Sequence, residues 1–139
     1  MLRAVSFIFV GCALLWHGLS TSPAAGTEVD QEGTVWTAII PDAFPRNVYV
    51  WRLLADGSYR EDGRNAVTGV AAQLTLSGRW TRDGAGMTLQ QQDEPFVFVG
   101  SVLGHLYTGT LYHRGRAVSR FCAAEGKVAP TQCGAPTTS

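Results

Sequence analysis

The sequence predicts an all-β chain, a small antiparallel up-and-down meander closing into a barrel of about eight strands. Three observations lead there. Helical periodicity is hard to find after residue 27, whereas period-two alternation of apolar and polar residues recurs. The dipeptides Asp56-Gly57, Asp83-Gly84 and Arg114-Gly115 interrupt the alternating runs where tight hairpins need positive φ. Hairpins that succeed one another pair sequence neighbours in space, which favours a meander over a Greek key.

The first segment reads as an address. Arg3 supplies a positive start, Ala4 to Trp16 is an almost unbroken apolar run of 13 residues, and His17 to Ser22 turns polar. Ser22-Pro23-Ala24-Ala25-Gly26 then offers the small residues a signal peptidase requires, so residues 1–26 are expected to be a cleaved secretory signal. The apolar run falls short of the roughly 20 residues a membrane helix needs, and the mature chain is expected to hold no transmembrane segment. Phe9-Val10-Gly11-Cys12 loosely matches a lipidation site. Phe is a poor first residue there, and an apolar stretch would follow the anchor. The expected location is periplasmic or extracellular.

A single barrel domain is expected over residues 27–126. Thr34 to Ile40 alternates and stops at Pro41. Val48 to Leu54 pairs with Ser58 to Arg60 across Asp56-Gly57, and a two-residue loop there sets Arg52 opposite Glu61. Asp62 to Ala72 fits a loop, a short strand or one helical turn. From Gln73 to Gln92, Leu74, Leu76, Gly78 and Trp80 alternate with polar residues, as do Met87 and Leu89. With Asp83-Gly84 as the loop, Trp80 faces Met87 and Gly78 faces Leu89, so apolar residues share one face. Phe96 to Val99 opens another strand after Pro95, and Arg114-Gly115 joins His105–His113 to a strand from Arg116 to Cys122. Trp36, Trp51, Trp80, Phe96, Phe98 and Phe121 are available to fill the interior.

Export changes the cysteine arithmetic. Cys12 leaves with the signal, and Cys122 and Cys133 remain 11 positions apart. In an oxidising compartment they are expected to form one disulfide, tying down an irregular Pro/Thr/Gly-rich tail over residues 127–139.

The pattern Leu54-Ala55-Asp56-Gly57-Ser58-Tyr59, then about twenty residues, then Gly78-Arg79-Trp80 with Gly84 and Leu89 resembles small bacterial lipocalin-like domains. These include the N-terminal barrel of the NlpE envelope lipoproteins. The resemblance spans about 36 residues and implies a lipocalin-like barrel. It carries over no functional residue. The chain has no CxxC near its mature N-terminus and no convincing lipobox, so neither copper handling nor membrane anchoring follows.

Composition excludes several function classes. The 139 residues fit one domain, and 45% apolar with 10% aromatic residues exceeds what disordered chains carry. Eleven basic residues balance 11 acidic ones without charge runs, which gives no field for nucleic acid. No Gly-x-Ser-x-Gly elbow or phosphate-loop spacing occurs, and no cofactor is expected. Glu61-Asp62 and Asp93-Glu94 are adjacent pairs that point to opposite faces of a strand and suit solvated loops better than acid–base work. His105 and His113 lie roughly 26 Å apart if both sit on one strand. They would face each other as a metal pair only if the chain turned at Thr108-Gly109-Thr110, and Gly109 is more simply a strand kink. No metal or catalytic set is therefore expected.

Ten of the 11 basic residues are Arg, and Arg116 and Arg120 share strand parity with Val118 between them. Arginine forks suit carboxylates and phosphates. The expectation is an exported, non-enzymatic barrel binding a small apolar or anionic ligand or an envelope component, with Trp51, Trp80, Arg116 and Arg120 as candidate ligand residues. The alternative is an inhibitor or partner-binding module acting on a secreted or envelope protein through Asp42–Asn47 or the Arg114-Gly115-Arg116 turn.

Overall fold

The computed structural model describes residues 33–127 together with 129 and 130. The expected signal, residues 1–26, and Cys133 lie outside the described residues. Eight antiparallel strands follow one another around a closed barrel: β1 (Thr34–Ile40), β2 (Phe44–Leu53), β3 (Ser58–Asn65), β4 (Leu76–Asp83), β5 (Gly86–Gln91), β6 (Phe96–Leu103), β7 (Leu106–His113) and β8 (Arg116–Glu125). β1 pairs with β8 from Trp36↔Glu125 to Ile39↔Cys122, so no sheet edge is left unpaired. The meander and the closure are as the hairpin spacing predicts.

Period two selects what goes inside. Trp36, Ala38 and Ile40 of β1, Tyr49, Trp51 and Leu53 of β2, and Tyr107 and Leu111 of β7 are buried, with polar or partly exposed residues between most of them. The interior centre is aromatic. Trp51 meets Phe98 at 4.7 Å between ring centroids and Phe121 at 5.8 Å, and Tyr107 meets Phe121 at 4.7 Å, all edge-on. That geometry sets positive ring edges against negative faces, worth about 0.5–1.5 kcal/mol per pair beyond burial. Of the six aromatics expected inside, Trp80 and Phe96 are only half-buried, and Tyr59 and Tyr107 complete the core instead.

The turns decide the registers, and two differ from expectation. At β2–β3, Leu53 faces Tyr59 and the Leu54 N–H reaches the Ser58 carbonyl at 2.9 Å, which leaves the three-residue loop Ala55-Asp56-Gly57. Gly57 at φ 82° supplies the left-handed residue that such a loop requires. The odd loop slips the pairing by one, so Arg52 faces Arg60 and Trp51 faces Glu61. At β4–β5 the loop is Gly84-Ala85, with Gly84 at φ 58°, and Trp80 faces Leu89 rather than Met87. This two-residue shift keeps every side chain on its expected face. At β7–β8, Arg114 and Gly115 both have positive φ, 50° and 76°, as a type I′ turn demands.

After β6 the chain turns at Gly104-His105, where Leu103 faces Leu106, so His105 lies in the turn before β7 and His113 ends that strand. Gly109 sits mid-strand opposite Gly100, and a Cβ there would lie 2.1 Å from the Val99 carbonyl oxygen. Close backbone approach explains that glycine. Residues 62–72 resolve into the end of β3 and a turn closed by the Asn65 side chain, with a single bridge from Arg64 to Ala71.

Candidate ligand-binding site

The one-residue slip at β2–β3 has a chemical consequence. Cross-strand partners share a face, so the residue opposite the buried Trp51 must also point inward. That residue is Glu61, between the inward-facing Tyr59 and Gly63, and it is 1% exposed. Its neighbour Asp62 faces outward, where its carboxylate accepts from the Thr75 hydroxyl at 2.6 Å.

Glu61 is held by donors from three directions. The Trp51 indole N–H donates to Oε2 at 2.9 Å, the Gln73 amide donates to Oε1 at 2.8 Å, and the Gln91 amide reaches both oxygens at 3.1 Å. Burial pushes its carboxyl above the ordinary carboxylate range; these hydrogen bonds oppose that rise, and the Asp62 charge adds to it. Burial also raises the Tyr49 hydroxyl, with the Asn47 amide pulling it back down and Glu61 pushing it further up. Gln91, 6% exposed, spends its amide nitrogen on Glu61, and its Oε1 is buried with no hydrogen-bond donor among the described residues.

These groups line a cavity of about 350 Å³ at one end of the barrel, within the range of about 300–1,000 Å³ typical of small-molecule sites. Phe44, Tyr49, Phe96 and Phe98 form much of the wall, Ala72 and Gln73 bring in the β3–β4 connection, and Leu76 the start of β4. Among the described residues, the charged ones of the lining are Glu61 and Glu94. A smaller cleft of about 150 Å³ lies among Trp36, Trp80, Met87 and Val102.

The sequence-predicted residues fall in different places. Trp51 is fully buried beneath the cavity as a donor to Glu61. Trp80 lines the smaller cleft and donates to the Leu54 carbonyl at 2.8 Å. Arg116 and Arg120 are exposed, and a bulge corrects their shared parity. Leu111 faces Ser119 while Tyr112 faces Ala117, which leaves Val118 as an extra residue on β8. Arg120 therefore faces Thr110 in the outward phase, and Arg116 faces His113 in the inward phase. Neither arginine lines the cavity. Cys122 is buried on β8 opposite Ile39 and Thr108, and its expected partner Cys133 lies outside the described residues.

Among the described residues, no group of three or more His, Cys, Asp or Glu side chains is placed to hold a metal. No described helix is long and apolar enough to cross a membrane. Sequence reasoning missed Glu61, Gln73 and Gln91. The available signal was the alternation Tyr59, Glu61, Gly63: if Tyr59 packs inside, Glu61 must follow it. Comparison with protein-family models, curated proteins and solved structures finds no match, so fold and site rest on the chain's own residues.

Proposed function

We propose that the domain is an exported, non-enzymatic barrel that binds a small molecule in the cavity above Glu61. One observation carries the proposal. The barrel packs its centre with aromatic rings but leaves about 350 Å³ open at one end, with a buried carboxylate and an unanswered amide oxygen at that cavity. A protein interior that needed only to be stable would fill such a space with apolar side chains. The resemblance to lipocalin-like domains supports the same reading at the level of fold. Export and the Cys122–Cys133 disulfide belong to the proposal, and the denatured mass of the secreted protein reads both at once.

The direct test is native mass spectrometry of the protein purified from its own host. A discrete small adduct, lost in a Leu76→Trp variant that fills the lining, is the expected result. A bare native mass, with no cavity ligand found in a screen, would remove the reading.

A second reading, a partner-binding or inhibitory module, draws on the rim. Asp42 accepts from the Arg120 backbone N–H at 3.4 Å and lies 3.5 Å from its guanidinium Nε, tying the β1–β2 loop to β8 beside the part-exposed Phe44. Partner binding that survives substitution of both Phe44 and Arg114 would end that alternative.

A further inference from the structure

We propose that the cavity's ligand is a small organic cation, a protonated amine on an apolar body, seated with an N–H group against Gln91 Oε1 and its charge beside Glu61, whose two oxygens already accept from Trp51, Gln73 and Gln91. This inference deepens the small-molecule reading above and rests on it.

The lining is unbalanced in charge. Glu61 and Glu94 face the cavity, and among the described residues no Lys, Arg or His lines it. His113 stacks on Phe96 at 4.6 Å between ring centroids, and Arg116 stands opposite His113, yet neither belongs to the lining. A carboxylate removed from water needs either a proton or a counter-cation. Trp51, Gln73 and Gln91 give Glu61 neutral N–H donors, which soften that cost without neutralising the charge.

Hydrogen-bond accounting points the same way. Gln91 Oε1 is a buried acceptor with no donor among the described residues, beside a carboxylate that is itself only an acceptor when ionised. The cavity asks its occupant for donors and a positive charge. An anion would meet two carboxylates, and a purely apolar ligand would leave Gln91 Oε1 unanswered. A divalent metal fits poorly, because hard cations gather several oxygen ligands and, among the described residues, no group of three or more His, Cys, Asp or Glu side chains is placed to hold one. The walls suit the rest of such a molecule. Phe44, Tyr49, Phe96 and Phe98 offer apolar surface and aromatic faces, which attract cations as well as hydrocarbon.

Three near-isosteric probes separate charge from shape: 2-phenylethylamine, 2-phenylethanol and 3-phenylpropionate, titrated at pH 7 into the mature chain by calorimetry and tryptophan fluorescence. The amine is expected to bind at least about tenfold more tightly than the alcohol, with the propionate weakest. Glu61→Gln should abolish the preference for the amine, and Glu94→Gln, at an exposed position, should reduce it by less than about threefold. Thermal unfolding confirms that both variants are folded. Alcohol or propionate binding as tightly as the amine, or a preference that survives in Glu61→Gln, would overturn the charge assignment while leaving the cavity a binding site. If all three probes fail, the host-derived adduct decides. A basic nitrogen in it supports the assignment, its absence overturns the assignment, and a bare mass overturns the small-molecule reading itself.

Discussion

Replacing Glu61 by Gln should convert a pH-dependent stability into a flatter one, and the sign follows from the burial of the carboxyl. Burial first, and the Asp62 charge last, raise the folded-state pKa of Glu61 above its ordinary 4.5, against the opposing hydrogen bonds from Gln73, Gln91 and Trp51. Between 4.5 and the raised value the folded chain keeps a proton that the unfolded chain has released. Folding therefore binds a proton, and stability is greatest below the unfolded value and declines as pH rises through the folded one. For one proton the steepest decline is about 1.4 kcal/mol per pH unit. In a domain of this size each 1 kcal/mol moves Tm by about 4–8 °C. The assay is urea unfolding of wild type and Glu61→Gln from pH 4 to 8, comparing the difference between them. Charges common to both proteins cancel in that difference. Tyr49, which also feels Glu61, and Tyr59 are both raised and titrate above the window. Wild type should lose ground to the variant as pH rises from 4.5, and the difference should level off once Glu61 is ionised. A difference that stays constant, or moves in favour of wild type, would refute the assignment of Glu61 as a desolvated carboxyl.

Other substitutions read neighbouring parts of the structure. Trp51→Phe removes the 2.9 Å donor to Glu61 and some interior volume, and should cost about 2–4 kcal/mol at pH 7 by chemical denaturation. Gly109→Ala drives a Cβ to 2.1 Å from the Val99 carbonyl oxygen, and should destabilise by about 3 kcal/mol or leave the chain unfolded by circular dichroism. Asp42→Ala breaks the solvent-exposed tie to Arg120 and should change stability by less than about 1 kcal/mol in the same assay.

The fold was legible because its signals are local. Period-two runs marked β1 over Thr34–Ile40, and Arg114-Gly115 marked the last hairpin where it occurs. The registers were less legible because they depend on loop length, which a Gly dipeptide does not specify. At β4–β5 a slip of two residues left every face unchanged, so alternation could not detect it. At β2–β3 a slip of one exchanged Glu61 for Asp62 on the inner face, and the candidate site was lost with it. Gln73 reaches Glu61 from the β3–β4 connection, and Gln91 reaches it from the end of β5, across β4. Neither juxtaposition has a counterpart in linear spacing. The bulge at Val118 acted likewise on the arginines: one extra residue separated Arg116 from Arg120 by phase.

The most direct measurement is a titration of the Glu61 carboxyl carbon by NMR, in the free protein and with 2-phenylethylamine bound. A buried carboxyl beside a cation site should titrate above 4.5 when free, and move to lower pH when the amine supplies its counter-charge. A free-protein midpoint at or below 4.5, or one that the amine leaves unmoved, would contradict the site assigned to this end of the barrel.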